Sequence, residues 1–261
     1  MAVEQDDWDT HWRHYAGSAT TNPAEAYRRD LVLRLLDLGA GRPRVLDVGS
    51  GQGDLAAAVH ERHPEADVAG IELSEHGVAV AAAKVPAADF VRHDLLSGDP
   101  LPDRLHGWAT HAVCSEVLEH VDEPERLLAA ARECMAPGCR LVVTVPGGPR
   151  SAFDRHIGHR RHYDRAALRQ VLERAGLRVE RVSAAGFPFF NLYRLAVILR
   201  GEKLIDDVAA EDGGAAASGP ALAVMRGFGV LFRANLGATP WGWQIVAVAT
   251  VPPATPPSAP G

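Results

Sequence analysis

A short apolar run, three alternating glycines and an alanine-rich continuation fill residues 44–55, and this stretch constrains the fold most. The apolar run predicts a buried strand, because it is too apolar for the edge of a sheet. Gly49, Gly51 and Gly53 let the backbone bend sharply and let a ligand lie against the main chain. The free N–H groups at the start of the helix that follows would point at that ligand.

Acidic residues at this turn indicate the kind of ligand. A mononucleotide-binding loop would need Lys and then Ser or Thr after the last glycine, where the chain has Asp54 and Leu55. A dinucleotide-binding fingerprint would need a glycine at position 54, which disfavours a nicotinamide oxidoreductase. Carboxylates at Asp47 and Asp54 would repel a pyrophosphate and favour a ligand with positive charge. A sulfonium compound with an α-ammonium group fits, which predicts S-adenosylmethionine.

The segment DVGSGQG, residues 47–53, resembles motif I of the class I S-adenosylmethionine-dependent methyltransferases, in their small-molecule, ubiquinone-pathway-like branch. Three later motifs resemble that family as well. Glu72 ends the second predicted strand, Asp94 ends the third, and residues 114–121 follow the fourth. The resemblance implies that Glu72 holds the ribose hydroxyls and that Asp94 takes the adenine amino group. It implies a cofactor site made of Asp47, Gly49, Ser50, Gly51, Gly53, Glu72, Leu73, Asp94, Leu95, Ser115, Glu116, Tyr15 and Arg28.

Composition agrees with an ordinary soluble α/β protein. The chain has 261 residues, of which 47% are hydrophobic and 23% charged, enough for one large domain. Its three cysteines form no paired pattern, and no leader or membrane-spanning run is visible, so a cytoplasmic location is expected. A net charge of −6 argues against a general nucleic-acid binder.

Strand and helix patterns alternate along the middle of the chain, which predicts a parallel sheet with right-handed crossovers. The resemblance implies a Rossmann-like, seven-stranded, mostly parallel sheet whose last strand is antiparallel. Strands are expected near 44–49, 67–72, 89–94, 111–116, 140–146 and 177–183, and helices near 22–38, 53–63, 75–84, 123–136 and 165–175. Asp122 is expected to cap the 123–136 helix, and Pro137-Gly138 to end it.

Five segments are expected along the chain. They are an N-terminal helical flap (1–43), the cofactor-binding core (44–186), an apolar helical insertion (187–240), the last core strand (241–251) and a disordered tail (252–261). The insertion is an extra helical pair that packs on the domain or forms a homodimer interface, a lid or channel for a hydrophobic substrate, or a peripheral membrane contact through 187–236. Its flanking arginines suit lipid headgroups or interface ion pairs equally.

Glu116, Glu119 and His120 would share one face if a helical turn follows the fourth strand. Completed by His159 or His162, such a set could hold Mg²⁺, as in the ubiquinone-pathway O-methyltransferases and small-RNA 2′-O-methyltransferases that the segment resembles. The interpretation we favour has no metal. In it, Glu116 faces the cofactor, Glu119 is solvated, and His120 is structural or an acid/base.

The stretch 150–169 is rich in arginine and histidine. Its arginines form either a solvated face or a clamp for an anionic group, because guanidinium matches carboxylate and phosphate oxygens. The candidate catalytic residues are His120, His159, His162, Tyr163 and Glu116. The candidate substrate contacts are Arg160, Arg161, Phe189, Phe190 and Tyr193.

These features together predict methyl transfer to O, N or C of a small hydrophobic molecule with a polar or anionic handle, natural-product, prenyl or lipid-like. One alternative is a metal-dependent RNA 2′-O-methyltransferase. Another is a fold member that binds the cofactor without methylating.

Overall fold

A computed structural model describes residues 8–9, 22–201 and 219–253, and for 219–223 the backbone alone. The strands are β1 Arg44–Val48, β2 Asp67–Glu72, β3 Asp89–Arg92, β4 Ala109–Ser115, β5 Met135–Pro146, β6 Arg178–Ala185 and β7 Gln244–Thr250. The helices are α1 Pro23–Leu36, α2 Asp54–Arg62, α3 Glu75–Lys84, α4 Pro124–Arg132, α5 Ala152–His156, α6 Arg165–Arg174, α7 Phe189–Arg200 and α8 Gly219–Leu231. Tyr15, the linker 202–218 and the tail from 254 lie outside the described residues.

The seven strands form one sheet in the order β3-β2-β1-β4-β5-β7-β6. β7 runs antiparallel to both of its neighbours, and the remaining pairs are parallel. The predicted fold class is therefore confirmed. The carboxyl ends of β1 and β2 lie side by side, with Val48 opposite Ile71, so the glycine turn after β1 meets the end of β2. In open α/β sheets this edge is where ligands bind.

Apolar residues fill both faces of the sheet. Val48, Cys114, Val143 and Ala247 belong to one buried cluster, and residues 27–36 of α1 contribute to the other. Because both faces are covered, the central strands are almost fully buried, as the apolar run after residue 44 predicted.

Several predicted boundaries were wrong at the ends of helices. α4 ends at Arg132, and β5 starts at Met135, so Pro137-Gly138 lies inside a strand instead of ending a helix. Met135 pairs with Ala109 ahead of a register shift, which lets the strand accommodate this turn-forming pair. Glu123, not Asp122, is the N-cap residue of α4, and it makes no side-chain capping bond.

The insertion between β6 and β7 packs on α1 through aromatic rings. Phe190 of α7 is buried against Tyr27 of α1 and Phe232, with ring centroids 5.5 and 5.8 Å away. Exposed apolar side chains remain on the outer faces: Leu192, Leu195, Leu199, Val224, Val230 and Leu231. None of the described helices is long and apolar enough to cross a membrane.

The two ends of the insertion meet at the sheet. Phe187 accepts a hydrogen bond from the N–H of Leu236 (2.8 Å), and Gly186 donates one to the carbonyl of Leu236 (3.0 Å). One step further in, Thr239 donates its N–H to the carbonyl of Ala184 (2.7 Å). The chain thus leaves and re-enters the sheet through a closed, hydrogen-bonded neck.

Candidate functional site

A cavity of about 410 Å³ opens at the carboxyl ends of β1, β2, β3 and β4. Among the predicted cofactor residues, its lining includes Gly49, Glu72, Leu73, Asp94, Leu95 and Glu116. Residues not singled out from the sequence also line it, notably His93, Leu96, Val117 and Val121. The motifs thus converge on one edge of the sheet.

The glycine turn fits tightly between β2 and the segment after β4. Gly49 has φ 73°, and a Cβ there would overlap the side chain of Val117. Gly53 has φ 75°, and a Cβ there would lie 2.9 Å from that of Ala81 in α3. Both positions therefore need glycine for conformation and for space.

Glu72 is held rigidly at the end of β2. One carboxylate oxygen accepts the N–H of Gly51 at 2.8 Å, and the other accepts the N–H of Ser74 at 2.9 Å. Each oxygen has a second lone pair, so this fixed carboxylate could accept two neighbouring hydroxyls. Asp94 lies two residues after the end of the next strand, β3, and its Oδ1 accepts the N–H of Leu96 at 2.8 Å.

Asp47 places a second carboxyl group beneath the glycine turn. Burial, followed by the nearby charges of Glu72 and Asp54, raises its pKa to about 7. Asp54 itself forms an ion pair with Lys84 (2.8 Å) on the helix side of the turn and is not among the residues that line the cavity. The cavity wall carries several acidic side chains, Glu72 among them, and this favours a cationic ligand.

Two residues of the predicted N-terminal flap reach this site. Trp8 lines the cavity and meets the ring of His120 edge-on, with the ring centroids 4.8 Å apart. Asp9 accepts hydrogen bonds from the hydroxyl of Ser74 and from the N–H of His76 (3.2 Å), at the start of α3.

Glu116 follows β4 in a conformation rare for a residue with a side chain, φ 56°, which costs about 1–3 kcal/mol. Its Oε1 accepts hydrogen bonds from Thr144 (3.1 Å) and from the amide of Gln244 (2.8 Å). Its Oε2 lies 3.7 Å from Nε of Arg28. Because the Thr144 hydroxyl donates to Glu116, Ser115 donates to Thr144 (2.7 Å). No local pattern in the sequence indicated the contacts with Thr144 and Gln244.

Glu119 is fully buried, so the expectation that it is solvated was wrong. Neither of its carboxyl oxygens has a hydrogen-bond partner among the described residues. Nε2 of His159 lies 3.9 Å from Oε1 of Glu119, and the rings of His159 and His120 meet edge-on. Burial, followed by the charge of Glu116, raises the pKa of Glu119 well above its ordinary value.

His159 and His162 lie next to a buried ion pair that the sequence did not reveal. Nη2 of Arg194 in α7 donates to both carboxylate oxygens of Asp154, at 2.8 and 3.0 Å. Asp154 also accepts from Ser151 in the capping box of α5. The spacing Ser-x-x-Asp at residues 151–154 is typical of a helix start, and it could have predicted α5 from the sequence.

Residues 20–182, more than half of the chain, match the family described as the methyltransferase domain. The chain belongs to the methyltransferase-domain family. It is 32% identical to a demethylmenaquinone methyltransferase of Thermus thermophilus, over 49% of this chain and 66% of that protein. It is 31% identical to a ubiquinone biosynthesis O-methyltransferase of Psychrobacter arcticus, over 47% of this chain and 48% of that protein. The chain thus covers less than two thirds of either curated relative.

Solved structures agree on the fold. The [4+2]-cyclase SpnF superposes with a TM-score of 0.63 over 97% of both chains, at 22% sequence identity. At that level of identity the likeness concerns the fold alone.

Three of the four residues that could share a metal, Glu119, His120 and His159, come together in the structure, and Glu116 does not join them. Within the described residues, one group of possible donors joins Glu119, His120 and His159, and a second joins Asp154, His159 and His162. Glu116 belongs to neither group, because Thr144 and Gln244 hold its carboxylate elsewhere. In the second group Asp154 is already neutralised by Arg194.

Tyr163 does not face the cavity as a base. Its buried hydroxyl donates to the carbonyl of Leu118 at 3.0 Å, and burial raises its pKa. His120, by contrast, lines the cavity and is 9% exposed. Among the proposed catalytic histidines, His120 is therefore the one in the described cavity wall.

The expected substrate contacts are distributed over different places. Arg160 lines the cavity beside Asp122, with which it forms an ion pair. Arg161 donates to the carbonyl of Asp122 at 3.1 Å, outside the described cavity wall. Three aromatic residues predicted to bind substrate pack instead against the core under α7: Phe189, Phe190 and Tyr193. Their role there is packing, because burying rings between α1 and α7 stabilises the insertion.

Proposed function

We propose that this chain binds S-adenosylmethionine and transfers its methyl group to a small molecule. The observation that carries the proposal is the Glu72 carboxylate, fixed by Gly51 and Ser74 at the mouth of the cavity. A carboxylate held in this way suits the two hydroxyls of a ribose. The buried Asp47 nearby suits the positive charge of the cofactor.

The residues of the chain would bind and orient, because the sulfonium supplies an activated methyl group. Glu72 would hold the sugar, and Asp94, in the cavity wall at the end of β3, would face the base. The tight turn at Gly49 lets the cofactor approach the backbone without meeting a Cβ. What remains for the protein is an in-line approach of the acceptor and removal of its proton.

Calorimetric titration with S-adenosylmethionine and S-adenosylhomocysteine tests cofactor binding. Glu72→Gln should weaken both by about 10- to 100-fold, since it removes a charged hydrogen-bond acceptor. Glu75→Gln is the matched control, because Glu75 is an exposed residue three positions away. A folded wild-type protein that binds neither compound would overturn the proposal.

We further propose an acceptor with an apolar body and a polar or anionic handle. Apolar side chains such as Leu95, Val117, Val121 and Leu127 line the cavity, and Arg160 provides one cation there. Relatives named as a demethylmenaquinone methyltransferase and a ubiquinone biosynthesis O-methyltransferase support a quinone-like acceptor.

The test is methyl transfer from labelled cofactor to a panel of prenylated phenols, prenyl diphosphates and RNA oligonucleotides. Preference for RNA would contradict this part, and tight cofactor binding without any methylated product would favour a non-methylating enzyme.

The outer face of the insertion is a further part of the proposal. Leu192, Leu195 and Leu199 lie exposed along α7, and Arg226 and Arg233 are exposed in and after α8. We propose that this face contacts an anionic lipid surface, from which an apolar acceptor could enter. Co-sedimentation with phosphatidylglycerol vesicles tests it, with Leu195→Glu as the disrupting variant. If the protein does not bind vesicles but forms dimers, and the Leu195→Glu variant is monomeric, then this face is a homodimer interface instead.

A further inference from the structure

The feature that calls for a function is the buried carboxyl group of Glu119. It lies on the short 3₁₀ turn Leu118–His120, fully buried, and its two oxygens have no hydrogen-bond partner among the described residues. Proteins rarely leave a buried polar atom unsatisfied unless it serves a chemical role. The cavity-lining His120 is its chain neighbour, and the ring of His159 lies near both, edge-on to the ring of His120 with centroids 4.7 Å apart.

The hydrogen bonds around His162 fix where the protons are. Nδ1 of His162 lies 3.0 Å from the carbonyl oxygen of Gly148, which can only accept, so Nδ1 carries the proton. In the neutral ring, Nε2 of His162 then carries a lone pair and accepts hydrogen bonds. Nδ1 of His159 lies 3.3 Å from this Nε2. His159 must therefore donate from Nδ1, which leaves its own Nε2 as an acceptor.

That acceptor faces Glu119. Nε2 of His159 and Oε1 of Glu119 are 3.9 Å apart, and two lone pairs at such a distance would repel unless one group holds a proton. Glu119 is the group that holds it, since burial favours its neutral form. Burial, followed by the charge of His120, lowers the pKa of His159 to about 2. The groups that act on the charge of Glu119 are Glu116, Arg28 and Asp154.

We infer that Glu119, His159 and His162 form a proton relay that leads from His120 in the cavity wall to Asp154. The inference rests on the proposed methyl transfer, for an acceptor that loses a proton from oxygen or nitrogen. His120 takes that proton as the new bond to the methyl carbon forms and the carbon–sulfur bond breaks, with its electron pair going to sulfur.

Each following step moves one proton between neighbouring groups, and the donor atoms of Glu119, His120 and His159 lie within 4.8 Å of one another. His120 passes its proton to the carbonyl oxygen of Glu119, whose hydroxyl proton moves to Nε2 of His159. The Nδ1 proton of His159 then moves to Nε2 of His162. His162 becomes a cation whose Nε2 is 3.7 Å from a carboxylate oxygen of Asp154. The relay thus takes up one proton, and its net charge rises by one at His162, next to the Asp154 carboxylate.

Asp154 and Arg194 act as positioning residues for the relay. Arg194 keeps Asp154 ionised and fixed through two hydrogen bonds, and Asp154 faces both histidines at 3.7–3.9 Å. Arg194 belongs to α7, so the insertion contributes directly to the chemistry beside the cavity. The 3.9 Å gap at Glu119 would close by a small side-chain movement, as catalytic hydrogen bonds commonly tighten on substrate binding.

Nitrogen-edited NMR of the ¹⁵N-histidine-labelled full chain, without cofactor, tests the relay independently of activity. At pH 7 we expect His159 and His162 to be neutral with the proton on Nδ1. Signals are assigned with His159→Gln and His162→Gln, and His106→Gln, at an exposed histidine, is the matched control. A proton on Nε2 of His159, a charged His159, or a metal bound at one equivalent by elemental analysis would overturn the relay. This result stands whether or not the cofactor binds.

Kinetics provide the second test, with an acceptor identified by the panel above. Glu119→Gln keeps the shape of the side chain but cannot pass on a proton, so kcat should fall by about 100-fold at unchanged KM for the cofactor. Glu119→Asp should recover part of kcat, and the pH profile of kcat should change in both variants. An unchanged kcat and pH profile in Glu119→Gln would overturn the relay, while leaving methyl transfer itself established.

Discussion

The side-chain amide of Gln244, at the start of β7, donates a 2.8 Å hydrogen bond to Glu116, at the end of β4. The same amide donates to the carbonyl of Val145 at 3.1 Å. One buried side chain from the last strand thus orients the carboxylate that faces the cavity, across the intervening strand β5. The register in which Pro146 pairs with Gln244 places it there.

Replacing Gln244 with leucine should destabilise the fold by about 2 kcal/mol, because Glu116 and the carbonyl of Val145 each lose one buried hydrogen-bond donor. Urea unfolding followed by circular dichroism measures this free energy. Gln170→Leu, at an exposed position of α6, is the control and should change it by less than about 0.5 kcal/mol. A Gln244→Leu protein as stable as the wild type would contradict the role we give this amide.

Gly49→Ala should destabilise the protein by about 1–3 kcal/mol, because position 49 combines a positive φ with the close approach of Val117. The double variant Gly49→Ala/Val117→Ala should recover only the steric part. Gly39→Ala is the control, since a Cβ there would meet nothing within 4 Å. The three free energies of unfolding, measured in urea, distinguish backbone strain from crowding. Equal stability of Gly49→Ala and Gly39→Ala would show that the turn is looser than described.

Asp47 should make the protein less stable as the pH rises. Burial, followed by the charges of Glu72 and Asp54, raises its pKa to about 7 in the folded state, from an ordinary value of 3.8. The folded state therefore holds this proton more tightly, and the stability it contributes is lost as the pH rises from about 4 through about 7. Asp47→Asn should remove this loss. Urea unfolding at pH 5 and pH 8 compares the two proteins, and parallel changes in both would refute the prediction.

Cofactor binding should release a proton from Asp47, because a cation placed beside the group lowers its pKa. The calorimetric binding enthalpy at pH 6.5 should then differ between phosphate and Tris buffers, whose ionisation enthalpies differ. Asp47→Asn should lose that difference. An enthalpy independent of the buffer in the wild-type protein would place the positive charge of the ligand away from Asp47.

Arg194→Met should cost about 3–5 kcal/mol of stability, because it leaves the carboxylate of Asp154 buried without its cation. Burial acts to raise the pKa of Asp154, but Arg194 and Ser151 outweigh it and hold that pKa well below its usual range. The stabilisation is thus present above the ordinary pKa of aspartate and disappears as the pH falls. Arg194→Met/Asp154→Asn should restore part of it, and Arg226→Met, on exposed α8, is the control. Unfolding curves at pH 7 and at a pH well below 3.8, the ordinary pKa of aspartate, give both numbers.

The sheet and the cofactor edge were predictable because they depend on local patterns. Gly49 and Glu72 carry their conformational and chemical requirements in a few neighbouring residues, so the glycine turn and the acid at the end of β2 were found. Glu119 was misjudged because helical spacing tells which residues share a face, but not whether that face is covered. Gln244, separated from Glu116 by the whole insertion, left no local sign, since only the pairing of β5 with β7 brings them together.

The hydrogen-bonded neck at Phe187 and Leu236 makes the insertion a modular appendage of the sheet. Since its two ends are already joined, its length and sequence can drift without shifting the register of β6 against β7. Exchange of the segment beyond this neck for the corresponding loop of another family member would therefore change the outer face of the insertion and leave the register of the sheet untouched. A donor loop would have to supply again at least the Phe190 ring that packs on α1 and the Arg194 guanidinium that pairs with Asp154.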